Sequence, residues 1–320
     1  MSGGRRRVVA GLVSLVLLGA LAACTPRASE WTGEEYAIAG GGSTGVYFAY
    51  GSHLADELSK SLDIRMTAHE TAGSIDNLLR VDAGDALIGF AQGDAAADAV
   101  AGAGAFSDPL QIEAIARLYD EYVHVVVRGD SEIADVADLA GRDVSLGAEN
   151  SGVNVIARRV LDVAGVAAAS VRDPQLDLRG SIAAMERGEI DGFFWVGGLP
   201  TPGISELADR MPVRLLPIDQ EWVVDVNDRY SHAYRPADVP EGMYGLKESA
   251  STMAVPNYLV TSSSTPPAVV RDVLVGLFDA RPRIAEEVPA AALLDRRQAI
   301  FTGPVPLHPG AVEYYRDLRD

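Results

Sequence analysis

The chain has one cysteine, Cys24, and two lysines, Lys60 and Lys247. A lone thiol cannot close an internal disulfide, so no cross-link frames the fold. Two lysines against 25 arginines, in a chain rich in Ala, Gly and Val, read as a coding bias and not as a functional signal. Positive charge is scarce altogether: 27 basic residues face 45 acidic ones, a net charge of −18. Without its first 23 residues, which hold three arginines and no acid, the chain has 24 basic residues and a net charge of −21. So acidic a body is a poor match for nucleic acid, and no such partner is expected.

Signals for catalysis are missing too. The five histidines, His53, His69, His124, His232 and His308, have no metal-ligand spacing. There is no GxSxG elbow, no HExxH helix and no P-loop lysine. "HETAG" at His69 starts like a zinc motif but lacks the second histidine. Neither an enzyme, a metal site nor an organic cofactor is expected.

What is present begins at the N-terminus. Arg5–Arg7 precede an apolar run, Val8–Ala23, that is short for a membrane span. Leu21-Ala22-Ala23-Cys24 fits a bacterial lipoprotein signal. Residues 1–23 would be cleaved, Cys24 lipidated, and residues 24–35 left as a tether to the cell membrane. The expected place is therefore extracytoplasmic and lipid-anchored. About 290 residues at 48% hydrophobic remain, enough for a large core in two lobes.

Short apolar runs alternate with amphipathic stretches, the pattern of an α/β fold. "YAIAGG" reads as a strand, Val46–Ser61 as a helix and "DIRMTAH" as a second strand. Ser74 is placed as the N-cap of a helix ended by Gly84, "DALIGFAQ" as a buried strand, and Asp94 as the cap of the next helix. "YVHVVVRG" is read as a strand crossing between lobes, with Tyr119 and His124 flanking the crossing. A second unit repeats the order: "DVSLGA" as strand, a helix from Val153, a helix closed near Gly188, then a strand over 192–196. The expected lobes are 36–123 with 224–320, and 124–223.

Gly40-x-Gly42-x-x-Gly45 has the spacing of a dinucleotide loop. The bulky Val46-Tyr47-Phe48 beside it, and an extracytoplasmic address, argue against NAD. Backbone N–H groups of Gly42, Ser43 and Thr44 at a helix start suit a carboxylate instead. "GAENSGVN" repeats this theme with Ser151, Gly152 and Asn154. Two helix N-termini, one per lobe, are thus expected to hold an anionic ligand. Ser74, Gln92 at a strand end, Trp195 as a wall, and Gly197 with Pro200 in the following loop complete the expected site.

"IAGGGSTGVYFAYGSHLADELSK", "TAGSIDNLLRVDAGDALIGFAQGDAA" and "AAMERGEIDGFFWVGGLPTPGISELA" together resemble the TAXI group of solute receptors of TRAP transporters. The likeness runs from about Tyr36 to the C-terminus. It implies a two-lobed type II periplasmic-binding-protein-like fold with a hinge and a central ligand cleft. It implies a small carboxylate ligand (glutamate, glutamine, 2-oxoglutarate or another dicarboxylate) handed to a TRAP membrane permease. It also implies that Gly42, Ser43, Thr44, Tyr47, Gln92, Ser151, Gly152 and the Val196–Pro200 loop line the cleft. A ligand-sensing lipoprotein that reports to a membrane kinase is the alternative use of such a fold. Where the group more often has other residues, this chain has Glu149-Asn150; a Glu149 facing the cleft would favour a ligand with an amino group.

Overall fold

The computed structural model describes residues 31–33 and 35–318. The signal segment and Cys24 lie outside the described residues. From Gly33 onward the chain is one compact unit. The first run of elements is β1 (Tyr36–Ala39), α1 (Val46–Leu62), β2 (Met66–His69), α2 (Ser74–Ala83), β3 (Ile88–Gln92) and α3 (Gly93–Ala101). A long strand follows, β4 (Ile112–Arg128). Next come β5 (Val144–Ser145), α4 (Gly152–Val163), α5 (Leu178–Glu186), β6 (Gly192–Gly197), α6 (Pro202–Arg210) and β7 (Val213–Leu215). The chain ends with α7 (Gln220–Arg229), β8 (Arg235–Val239), a second long strand β9 (Ala250–Ser262), α8 (Pro267–Glu287) and α9 (Pro309–Asp317).

The strands form one sheet in the order β2-β1-β3-β9-β4-β6-β5, with β7 on β4 and β8 on β9. β1 runs parallel to β2 and β3, and β5 parallel to β6, so each end of the sheet is a βαβ arrangement. Between them lie β4 and β9, antiparallel to each other. The two long strands change neighbours along their length. β9 pairs with β8 through Ala250–Ala254 and with β3 through Asn257–Thr261. β4 pairs with β6 and β7 only in its last seven residues, Tyr122–Arg128. Both strands therefore serve two halves of the molecule.

The sequence pattern accounts for most of these elements. β3, Ile-Gly-Phe-Ala-Gln, is buried at every position because helices cover both its faces. α2 ends where Gly84 adopts φ +79°, a left-handed turn that costs a glycine little. Two expectations need correction. β4 begins at Ile112 and not at Tyr122, because Ala114 and Ile115 are core residues although Glu113 and Arg117 break the apolar run. β5 keeps only two residues of "DVSLGA", since Gly147 at φ +98° turns the chain out of the ladder.

Separate cores form on the two sides of the crossing. One gathers Ala39, Leu78, Ala91, Ala114 and Val260. Another gathers Val125, Ile156, Phe194, Val226 and Met253, and a third Phe193, Ile204, Leu215 and Val239. Val226, Tyr234 and Val239 thus pack with residues 123–223, and the chain rejoins the first core through the end of β9. The last two helices close the first half, with Gly310 of α9 set against the start of α8. A Cβ there would lie 2.3 Å from the Pro267 carbonyl oxygen, which backbone cannot relieve. Gly310→Ala is expected to cost about 1–3 kcal/mol, the range for overpacking a tight contact. Urea unfolding would read it as a lower midpoint at unchanged slope.

Candidate ligand cleft

Between the halves lies a cavity of about 50 Å³, several times the roughly 10–15 Å³ that one water needs. Its walls are the starts of helices. Gly42 and Gly45 precede α1, Gly73 and Ser74 open α2, Ser151 and Gly152 open α4, and Asp177 and Leu178 open α5. Among the described residues no arginine or lysine lines it. The first turns of α1 and α2 have no side-chain cap; on α2 the Asp76 N–H is taken by the Asn150 carbonyl, and the N–H groups of Ser74 and Ile75 precede it. On α4, Ser151 Oγ accepts from the Asn154 N–H at 3.1 Å, and on α5 Asp177 accepts from the Gly180 N–H. Positive potential is supplied here by backbone alone.

Of the residues expected at the site, Gly42, Thr44, Tyr47, Ser74, Gln92, Ser151, Gly152, Trp195 and Gly197 line this one cavity. Three do not. Ser43 does not line it, and its buried Oγ has no hydrogen-bond partner among the described residues. Asn154 folds back on its own loop, its Nδ2 donating to the Gly147 carbonyl and its Oδ1 accepting from Arg158. Pro200 is exposed just beyond β6. Glu149 is exposed as well and does not line the cavity, so it gives no argument for an amino group. Ser74 is the first residue of α2 and not its cap; its Oγ accepts from the Gln92 N–H at 3.2 Å. Asp94 does not cap α3 either: the N-cap is Gln92, and the Asp94 carboxylate pairs with Arg159.

The halves meet closely around this space. A Cβ on Gly152 would fall 2.0 Å from Gln92 Oε1 and 2.9 Å from Ser74 Oγ. Gly45 leaves room for the edge of the Trp195 ring, where a Cβ would sit 3.2 Å away. Trp195 is itself fixed by an Nε1–H bond to Thr201 Oγ1 at 3.0 Å. The Asp76 N–H donates to the Asn150 carbonyl across the gap at 3.1 Å.

The sequence reading missed Glu121. It is 1% exposed, lines the cavity, and sits on β4 just after the register shifts between Arg117 and Asp120. Such irregularities re-aim side chains. Its Oε2 accepts from Tyr47 Oη at 3.0 Å and Gln92 Nε2 at 3.0 Å, while Tyr119 Oη donates to Oε1 at 3.5 Å. No cation is paired with it among the described residues. Burial pushes its pKa up to about 8, with the bonds from Gln92 and Tyr47 pulling the other way and the Asp94 charge adding to the rise. An acid on a strand whose polar positions alternate gave no local signal. His124, three residues further on and paired with β6, is wholly buried, and burial lowers its pKa to about 4.

The two shifts act oppositely on stability. An acid whose folded pKa is raised binds its proton more tightly when folded, so Glu121 contributes stability that is lost as pH climbs from about 4.5 to about 8. His124, with its folded pKa lowered, makes stability rise with pH between about 4 and 6.5. Glu121→Gln is expected to remove the first effect alone. The stability gap between variant and parent should widen in the variant's favour across pH 5–8, by at most about 1.4 kcal/mol per pH unit. Urea midpoints at four pH values would measure it; parallel curves would show that Glu121 does not titrate there.

The architecture and the family can now be set beside known proteins. Three solved structures superpose on most of the chain. One is described as a periplasmic transporter, at 14% identity, covering 90% of this chain and 94% of that one, TM-score 0.53. Another is PhnD1 of Prochlorococcus marinus in complex with methylphosphonate, at 12% identity, 89% and 98% coverage, TM-score 0.53. The third is the alkanesulfonate-binding protein SsuA of Xanthomonas axonopodis pv. citri bound to MOPS, at 16% identity, 89% and 84% coverage, TM-score 0.50. At such identities the likeness establishes the fold, that of the periplasmic binding proteins. Sequence is more specific: the NMT1-like family matches residues 38–318, so the chain belongs to the NMT1-like family.

Proposed function

We propose that the protein is an extracytoplasmic solute receptor that captures a small carboxylate in the interlobe cavity and releases it to a membrane permease. The observation that carries this reading is the cavity itself, walled by four helix N-termini, of which those of α1 and α2 have no side-chain cap. Each such terminus is worth about 0.3–2 kcal/mol towards an anion. Closure around the solute adds the rest, by shedding water and bringing both halves' N–H groups to bear. PhnD1 and SsuA, which share the fold, are described with a methylphosphonate and a sulfonate, both small organic oxyanions.

Within the carboxylate class, Glu121 favours a solute with an ammonium group, such as glutamate or glutamine. It offers the cavity a carboxyl without a cationic partner, and a protonated amine would supply one. In place of the expected lobes, 36–123 with 224–320 and 124–223, we take residues 36–121 with 256–318, and 122–255, because Val226, Tyr234 and Val239 pack with the second half; β4 and β9 run between them as the hinge. Delivery to a TRAP permease rests on the TAXI-like segments. Anchoring through Cys24 rests on the lipoprotein signal. No helix among the described residues is long and apolar enough to cross a membrane.

Thermal unfolding with L-glutamate, L-glutamine, 2-oxoglutarate and succinate tests the reading. A true ligand at 1,000 times its Kd adds about 4 kcal/mol, a rise of several degrees in Tm. The expected result is a rise with an amino acid that exceeds any rise with the two compounds lacking an amine. Affinity for the amino acid should grow from pH 6 to 8 as Glu121 ionises. Gly152→Ala should abolish the rise while leaving the ligand-free Tm close to the parent's, since its Cβ obstructs the meeting of the halves. No rise with any carboxylate would end the assignment.

A further inference from the structure

We propose that Arg159 is an ionic clasp that holds the two halves closed, separate from the residues that line the cavity. α3 starts directly after Gln92 and α4 directly after Ser151, so both helices lead away from the cavity. One to two turns on, they are tied together. Arg159 Nη1 donates to Asp94 Oδ2 at 2.7 Å, and Nη2 to Asp98 Oδ2 at 2.5 Å. Asp94 and Asp98, four residues apart, share one face of α3. Tyr234 Oη donates to Asp94 Oδ2 at 2.5 Å and accepts from Arg159 Nη1 at 3.1 Å. The Tyr230 ring lies 5.1 Å from the guanidinium carbon.

The side chains of Arg159, Asp94 and Asp98 are 8%, 0% and 13% exposed, and no other ion pair between described residues is as deeply buried on both sides. Asp94 belongs to the first half of the molecule; Arg159, Tyr230 and Tyr234 belong to the second. Asp94 Oδ1 has no partner, which leaves the cluster short of donors even when it is closed. None of these residues lines the cavity.

The charge count gives the cluster its character. With one guanidinium and two carboxylates it is dry and paired when the halves meet, and hydrated and apart when they separate. For buried ion pairs the cost of lost hydration nearly offsets the attraction. A contact of that kind can close without locking, whereas an apolar patch of the same size would favour the closed form in the absence of a solute. The other bonds across the gap, from the Asp76 N–H to the Asn150 carbonyl and from Arg179 to Glu70, are single or exposed.

Removing the cation should therefore do more than removing all the charges. In Arg159→Met, closure would bury two unpaired carboxylates, and the open form gains. In Asp94→Asn/Asp98→Asn/Arg159→Met, closure buries no charge, and the closed form returns. Spin labels on cysteines introduced at the exposed Leu79 and Glu206, in a Cys24→Ser background, would report the distance between halves without any solute added. The parent should show a closed component. Arg159→Met should reduce it roughly tenfold or more, the scale of stranding buried carboxylates, and the triple variant should restore it. Should Arg159→Met fail to fold by circular dichroism, Asp98→Asn, near the rim, should still alter the closed component. A parent with no closed component, or equal distributions in parent and Arg159→Met, would overturn the proposal. So would a triple variant as open as Arg159→Met, since packing loss and not charge would then explain the opening.

Discussion

The two long strands set the terms for everything else. β4 and β9 bond to each other from Ile112 to Tyr122 of β4, while β9 exchanges β8 for β3 on its outer side and β4 takes up β6 and β7 in its last seven residues. The halves are consequently joined by backbone that is already hydrogen-bonded. What remains free to vary is the gap beside the crossing. Into that gap project the loops that follow strands and precede helices, because in α/β units the carboxyl ends of strands point there. The same geometry that builds two cores also fixes which kind of residue can meet between them: glycines, small hydroxyls and the first N–H groups of helices.

That constraint resolves an electrostatic problem. An acidic chain repels an anionic solute at long range, and its arginines are mostly committed to carboxylates on the surface, as with Arg172 and Asp143 or Arg187 and Glu189. Partial charges on uncapped helix starts act only within about a turn, so they can attract a carboxylate inside the gap without altering the outer field. Glycine is needed where the halves touch for a related reason. At Gly152 the absent Cβ lets the start of α4 reach Gln92 and Ser74, and an N–H group acts usefully only at close range.

The parts of this arrangement that could be read from sequence are those encoded within a few neighbouring residues. The Gly-Ser-Thr loop before α1, the Ser-Gly start of α4 and the Gly84 stop of α2 each follow from turn and cap chemistry. Nine of the expected residues line the cavity, and Gly42, Thr44, Ser151 and Gly152 among them belong to those two loops. Asn154 and Pro200 were misplaced because spacing fixes where a backbone turns but not where a side chain points one or two residues on. Glu121 and Arg159 were invisible for a different reason. Apart from Tyr119 beside Glu121, their partners lie on other elements, 29 to 75 residues away along the chain, and neither residue stands out among 72 charged ones. The same applies to Asp94, which by local pattern is a helix cap and in the fold is half of a bridge.

Asp94 and Glu121 also show why the acids of this site need distinct environments. Both are buried, burial raises the cost of ionising each, and the Asp94 charge adds to that cost at Glu121. Asp94 has a guanidinium within bonding distance and a phenol donating to the same oxygen, so its charge is answered inside the protein. Glu121 has only neutral donors, two phenols and an amide, so its charge is unanswered until something enters the cavity. The first arrangement makes a contact between halves that depends on their being together. The second makes a place whose preferred protonation depends on what is bound. In the proposed receptor the two carboxyl groups would thus divide closure from recognition, and the division would follow from which of them Arg159 can reach.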